Sequence, residues 1–292
     1  MKCNESKMAQ NFIRSFSLLV FVLFISPILL ITINSAKSSR EILLNPLSLP
    51  ENWGKIWENF ISIWNNPSID YRGSFLSSVI ITVLSLTLIS LFSSLAAWGL
   101  VRYKSKTSNV IFYLFVASMV IPFQVVMYPL ISWFRTLSVN ITQPLFSVTL
   151  LRSYPGLILA YIGFGMGLSV FMFHGFLKGV PLEIEEAAEI DGANKFQTFF
   201  YVVMPIMKPI YMTIIILNGI WIWNDYLLPI QLLGVGNDIQ TLPIALSNFA
   251  GSYTKQWDMI LSSSLMIMIP IIIVFLLAQK QILKGMVDGA IK

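Results

Sequence analysis

Residues 181–205 read PLEIEEAAEIDGANKFQTFFYVVMP and hold five of the fourteen acidic residues in a chain of 292. Pro181 suits a first helical position, where a missing N–H costs nothing, and Glu183, Glu185 and Glu186 favour the positive end of the helix dipole. Gly192 can take a positive φ and end that helix after about three turns, and Asn194 can cap a second helix running to a stop at Pro205. The spacing predicts helix, turn, helix. On the first helix Glu185, Glu186 and Glu189 share one side, while Ile184, Ala187, Ala188 and Asp191 share the other. On the second, Phe196, Phe199, Phe200 and Val203 make a broad apolar stripe suited to other helices or to the bilayer interface. The aromatic helix then fixes the unit and the alanine helix projects.

Around this segment the chain is 56% hydrophobic and only 11% charged, too apolar for a soluble domain. Six predominantly apolar runs are long enough to span a bilayer, at about 14–34, 74–101, 110–134, 156–178, 209–233 and 259–279. The expected fold class is an all-α membrane protein: six transmembrane helices in a single transmembrane domain over residues 1–292, with a cytosolic helix-turn-helix between helices 4 and 5. With the N-terminus inside, twelve Lys and Arg residues fall on the cytosolic side and seven outside. Arg102, Lys104 and Lys106 crowd one short inner turn, whereas Lys37, Arg40, Lys55 and Arg72 are diluted in the first outer loop among Glu41, Glu51, Glu58 and Asp70. This bias places both termini in the cytosol and turns residues 181–205 inward. Anionic lipid of the inner leaflet repels an acidic projection, so its partner is protein, and small alanines allow close approach.

The net charge of +5 is scattered over membrane-flanking positions and forms no stripe or aromatic platform, which excludes nucleic acid as a partner. Lys2, Lys7 and Arg14 before the first apolar run resemble the start of a signal peptide. The run is long for a cleaved leader and reads as a retained anchor. Cys3, the one cysteine, excludes an intrachain disulfide.

Glu186, Ala187, Ala188, three residues, Gly192, nine residues and then Val202, Val203, Met204 and Pro205 resemble the EAA loop of ABC-importer permeases. The usual ending is Ile-x-Leu-Pro, and Val202 and Met204 are apolar replacements within it. The resemblance implies that the short helix inserts into a groove on a cytosolic ATPase and passes ATP-driven closure to the membrane helices. Glu186, Ala187, Ala188, Asp191, Gly192 and Pro205 would carry that coupling here.

From about residue 74 onward the chain is similar to the second permease of carbohydrate importers of the maltose-transporter type. The matching stretches are SLAAWGLVRY over 94–103, Ile121-Pro122 with Gln124, Trp223-Asn224-Asp225, Thr241-Leu242-Pro243, Ser247-Asn248-Phe249, and a tail from Gln279-Lys280 to Lys292. Met286, Val287 and Ile291 depart from the usual Gly-Leu-Thr-x-Gly-x-Val-Lys tail. The resemblance implies tail contacts to the ATPase through Gly285, Gly289 and Lys292. It also implies a homologous second permease, a cytosolic ABC ATPase dimer and an extracytoplasmic solute-binding protein as partners, within the lipid bilayer of the cytoplasmic membrane. The chain has no G-x-x-x-x-G-K-[ST] phosphate loop, so it binds no cofactor itself and leaves ATP and Mg to the partner ATPase.

Ionisable groups inside a span are costly enough to be tested as parts of a path. Asp225 lies past the midpoint of the fifth span among Trp221, Trp223 and Tyr226. With Trp223 and Asn224 it offers a sugar-facing surface, since aromatic faces stack on pyranose rings and carboxylates accept from hydroxyls. The competing and commoner role is a structural hydrogen bond within an outer aromatic belt. His174, the one histidine, sits near the cytosolic end of the fourth span and reads as interfacial packing. With one histidine and one cysteine, neither a metal centre nor a nucleophilic triad can be assembled, and the chain is read as a transport subunit that is not an enzyme. Gly163, Gly165 and Gly167 read as local bending or close helix approach, and Pro122 and Pro129 as kinks in the third span.

The function these features point to is translocation of a carbohydrate, in particular an oligosaccharide, driven by a separate ATPase. A permease for another polar solute such as glycerol phosphate or a polyol is the alternative within transporters. An ion-coupled secondary transporter is the rival of another class, and the scarcity of intramembrane carboxylates and histidines argues against it.

Overall fold

The computed structural model describes residues 2–67, 69–140, 149–251 and 255–290, and every regular element among them is helical. In a bilayer no water is at hand for backbone N–H and C=O groups, and a helix satisfies them within its own segment. The order is α1 (Lys2–Ser35), α2 (Ser39–Leu44), α3 (Lys55–Trp64), α4 (Tyr71–Arg102), α5 (Lys106–Ser118), α6 (Phe123–Asn140) and α7 (Tyr154–Leu177). There follow α8 (Glu183–Ile190), α9 (Lys195–Gln197), a π-helical turn (Thr198–Val203), α10 (Met204–Ile206), α11 (Lys208–Asn224), α12 (Leu227–Leu233), α13 (Leu242–Ser247) and α14 (Trp257–Ala290).

Among the described residues four helices are long and apolar enough to cross a membrane: residues 10–35 of α1, all of α4 and α7, and residues 257–276 of α14. Two further pairs pass the same test together, α5 with α6 at a 106° bend and α9–α10 with α11 at 75°. Counting each pair as one span gives six.

Two spans are interrupted where the sequence reading ran them on or only kinked them. The third span, expected over about 110–134 with kinks at Pro122 and Pro129, leaves the helix altogether between Ser118 and Phe123, while Pro129 stays inside α6. Pro122 has no N–H for the Ser118 carbonyl and its ring would collide with that carbonyl in an unbroken helix. The fifth span, expected over about 209–233, stops at Asn224 and restarts at Leu227. Here Pro229 would meet the Asp225 carbonyl in the same way. At the far end α14 continues as helix through Gly285 and Gly289 to Ala290, beyond the expected limit near residue 279, and Lys292 lies outside the described residues.

The chain divides into two compact units, residues 1–71 with 245–270 and residues 72–244 with 271–292. In the first, the end of α1 is knotted by polar groups. Lys37 is buried, with Nζ donating to Asn34 Oδ1 and to the Asn45 carbonyl, each at 3.0 Å. The Ser35 carbonyl accepts from Asn59 Nδ2 at 2.9 Å and from Ser262 Oγ at 3.0 Å.

In the second unit Ile81, Ile89, Phe134, Leu157, Tyr161 and Ile222 centre one buried cluster, drawn from α4, α6, α7 and α11. A second cluster joins Ala97 and Val101 of α4 with Phe173 and Leu177 of α7, Phe199 and Val203 of the π turn, and Ile214 of α11. Lipid tails are as apolar as leucine, so within the bilayer such clusters are held by close packing and interhelical hydrogen bonds. Asn218 Nδ2 donates to Ser169 Oγ at 3.1 Å between α11 and α7, and the Ser77 and Tyr154 hydroxyls meet at 2.8 Å. A Cβ on Gly165 would stand 2.6 Å from Ile89 Cδ1, and one on Gly167 would stand 2.7 Å from Ser118 Oγ, so these two glycines let α7 close on α4 and α5. Around Gly163 there is open space.

Candidate functional site

α8 covers eight residues, about two turns rather than three. Pro181 stands two residues ahead of it instead of at its first position. At its other end the N–H groups of Asp191, Gly192 and Ala193 bond the carbonyls of Ala187, Glu189 and Ala188, each at 3.0 Å. Gly192 has φ +92°, where glycine alone avoids a steric penalty, and this residue reverses the chain. Asn194 Oδ1 accepts from the Gln197 N–H and Gln197 Oε1 accepts from the Asn194 N–H, both at 2.9 Å, a capping box that opens α9. An ion pair between Lys195 and Glu189 ties the two limbs together.

The second limb buries Thr198, Phe199 and Val203 but leaves Phe196 and Tyr201 exposed. The wide π turn over Thr198–Val203 shifts the phase of the expected stripe, and Phe196 and Phe200 part from Phe199 and Val203. The Phe199 ring packs 5.2 Å from that of Trp98 on α4.

Glu185 does not share the open side of α8. It is 3% exposed; its Oε1 accepts from Arg102 Nε at 2.8 Å and pairs with Arg102 Nη2 at 2.6 Å, and its Oε2 accepts from Trp98 Nε1 at 2.9 Å. Two donors from a planar guanidinium and one from an indole supply the partners a buried carboxylate requires. Glu186, Ala187, Asp191 and Gly192 are exposed, Ala188 is half-buried, and Ile190 at the rim is 86% exposed. With Glu185 turned inward, this face is small, shallow and open. Pro205 is exposed in α10, at the far end of the second limb.

The Trp223-Asn224-Asp225 stretch lies at the break between α11 and α12. Trp223 is buried with its ring edge-on to Phe75 at 5.9 Å, and so is packed instead of open for stacking. Asn224 is exposed, with Nδ2 donating to the Ile220 carbonyl at 2.8 Å. Asp225 Oδ1 accepts from the Leu227 N–H at 3.0 Å and Oδ2 from Tyr161 Oη at 3.1 Å. Both carboxylate oxygens are thus engaged within the chain. His174 stacks on Phe112 at 3.8 Å between ring centres, a packing role.

At the α5–α6 bend a cavity of about 430 Å³ opens between Ser118, Ile121, Leu130, Trp133 and Phe164. Trp133 and Tyr161 were not singled out by sequence, whereas Ile121 and Gly163 of the cavity wall were. Arg102 entered the sequence reading as an inward charge and within the SLAAWGLVRY stretch, and its pairing with Glu185 did not.

The chain matches the sequence profile of binding-protein-dependent transport system inner membrane components over residues 89–288. It is 36% identical over 285 residues to a probable starch degradation products transport system permease of Thermoanaerobacterium thermosulfurigenes, covering 97% of each chain. It is 31% identical to a multiple sugar-binding transport system permease of Streptococcus mutans, covering 93% of each. An arabinooligosaccharides transport system permease of Bacillus subtilis is 32% identical, with 95% of this chain and 94% of that one covered. In fold the chain resembles, with a TM-score of 0.75 over 94% of its length and 97% of the other chain, a bacterial ABC transporter involved in import of the acidic polysaccharide alginate, at 21% identity. The chain therefore belongs to the binding-protein-dependent transport system inner membrane components, and is an ABC-transporter permease subunit and not an enzyme.

Proposed function

We propose that this permease imports a carbohydrate, in particular an oligosaccharide, and is coupled through α8 to a separate ATPase. The observation that carries the coupling is the open face of Glu186, Ala187, Ala188, Asp191 and Gly192 on a helix whose Glu185 carboxylate is turned inward. Small side chains leave the backbone of α8 accessible to a groove, and an acidic rim deters anionic lipid. The solute class is supported by the three relatives, whose names speak of starch degradation products, multiple sugars and arabinooligosaccharides.

In this reading ATP and Mg act on a pair of ATPase subunits, whose closure moves α8. A second permease completes the path and an extracytoplasmic binding protein delivers the solute. Both termini face the cytosol, each bent helix pair counts as one span, and Gly285, Gly289 and Lys292 lie on the ATPase side.

The test is uptake of radiolabelled maltooligosaccharides into vesicles carrying the assembled transporter, with a cross-linker placed at Ala188. ATP-dependent uptake of an oligosaccharide and capture of the ATPase support the proposal. Uptake of glycerol phosphate or a polyol with no sugar would reassign the solute, and uptake driven by a proton or sodium gradient without ATP would overturn the coupling.

A further inference from the structure

We infer that Glu185 and Arg102 form a charged joint handing the motion of α8 to α4, which makes α4 the transmembrane helix that the loop drives. This rests on the proposal that α8 is seated in an ATPase, and it names the part that moves next.

The covalent links of α8 are poor transmitters. Backward the chain passes through a turn, with the Gly179 and Val180 N–H groups bonding the Phe176 and Leu177 carbonyls at 3.0 and 3.1 Å, and then through Pro181. Forward it reverses at Gly192. Short non-helical connections absorb displacement in their φ and ψ angles, as hinges do.

The side-chain link is stiffer. Trp98 and Arg102 stand one turn apart on the same face of α4 and engage both oxygens of Glu185. A carboxylate held through two oxygens by two planar groups is fixed in rotation as well as in position. Arg102 Nη2 also donates to the Val180 carbonyl at 3.2 Å, so one guanidinium grips α8 and the turn that leads into it. Trp98 in turn carries Phe199 of the second limb. Burial reinforces the link, because separating the pair would strand a charge out of water.

α4 is suited to pass the motion on. It runs unbroken for 32 residues without a proline, about 48 Å at 1.5 Å per residue, whereas the α5–α6 and α9–α11 pairs are bent. Near its other end Phe75 meets Trp223 at the α11–α12 break, and Ser78 Oγ accepts from the Leu242 N–H at 2.8 Å. Movement of α4 therefore reaches the Asn224–Asp225 break directly. Glu185, one residue before the docking face, is a positioning residue for coupling and takes no part in docking itself.

The test uses the assembled transporter in proteoliposomes with Glu185→Gln, Arg102→Met and the double variant. Three quantities are read: cross-linking from a cysteine at Ala188 to the ATPase, ATP hydrolysis, and solute moved per ATP. Retained cross-linking and hydrolysis are expected, with solute per ATP lowered about tenfold or more in each single variant and no further in the double. Wild-type solute per ATP in both single variants overturns the joint while leaving docking intact. Failure of the unaltered chain to cross-link removes the docking proposal instead. Spin labels on otherwise unaltered chains cover the case of variants that do not assemble. The distance between labels at exposed Tyr103 and Ile190 is expected to stay constant between ATP-free and nucleotide-trapped states while that between Lys178 and Ile190 changes. A changing Tyr103–Ile190 distance overturns the inference.

Discussion

Tyr161 of α7 donates its hydroxyl hydrogen to Asp225 Oδ2 at 3.1 Å, while the other oxygen of the same carboxylate accepts from the Leu227 N–H at 3.0 Å. One side chain thus closes the opening turn of α12 and moors the break to its neighbour. Asp225→Ala removes both bonds and leaves the buried Tyr161 hydroxyl without its acceptor, a loss of about 2 kcal/mol. Asp225→Asn keeps an oxygen for the Leu227 N–H and turns its amide nitrogen to the Tyr161 oxygen, to which it donates instead of accepting, and is expected to unfold within a few degrees of the parent in detergent. If Asp225→Asn retains that stability yet loses uptake, the carboxylate charge lies in the solute path as well.

Gly192 has φ +92° and open space where a Cβ would stand, so Gly192→Ala is strained by backbone conformation alone, about 1 kcal/mol. Gly192→Pro goes further: it forces φ near −65° and deletes the N–H that bonds the Glu189 carbonyl. Gly192→Ala is expected to keep partial coupling. Gly192→Pro is expected to insert normally into the membrane and to hydrolyse ATP without uptake, measured side by side in vesicles.

At Gly165 the obstacle is a neighbour. An added methyl would press on Ile89 Cδ1 at 2.6 Å and on Asn218 Oδ1 at 3.1 Å, so Gly165→Ala is expected to destabilise by about 1–3 kcal/mol through overpacking. Ile89→Ala in the same chain removes the nearer obstacle and should recover part of the loss. Thermal unfolding of both single variants and of the pair gives the coupling, and strict additivity would place the strain elsewhere.

Sidedness can be read by labelling. With Cys3 replaced by serine, a cysteine at Lys104 is expected to react with an impermeant maleimide only in inside-out vesicles, and one at Gly54 only in right-side-out vesicles. The reverse pattern would put α8 outside and end the coupling proposal.

Helix ends were the most legible features of the sequence, since Pro122, Gly192 and Asn194 act on the backbone within a few residues of themselves. Hydropathy marked apolar stretches but was blind to their bends. Residues 110–134 are as oily with the turn at Pro122 as without it, and the stop at Asn224 depends on a ring at Pro229. Least legible was the inward turn of Glu185. Beside Glu186 it looks like one more exposed acid, and its burial depends on Trp98 and Arg102, which stand 87 and 83 residues away. The aromatic stripe misled for a related reason: a π turn changes the angular spacing, and composition does not announce it.

The bend between α5 and α6 has a consequence for hydration. Pro122 denies the Ser118 carbonyl its helical donor, and hydrocarbon tails have none to lend. Irregular backbone at such a place persists where moisture or another polypeptide reaches it. The cavity beside it sets one hydroxyl, on Ser118, and the indole of Trp133 among oily walls of Ile121, Leu130 and Phe164. A sugar, with its hydroxyl rim and hydrocarbon faces, is amphiphilic in the same lopsided way.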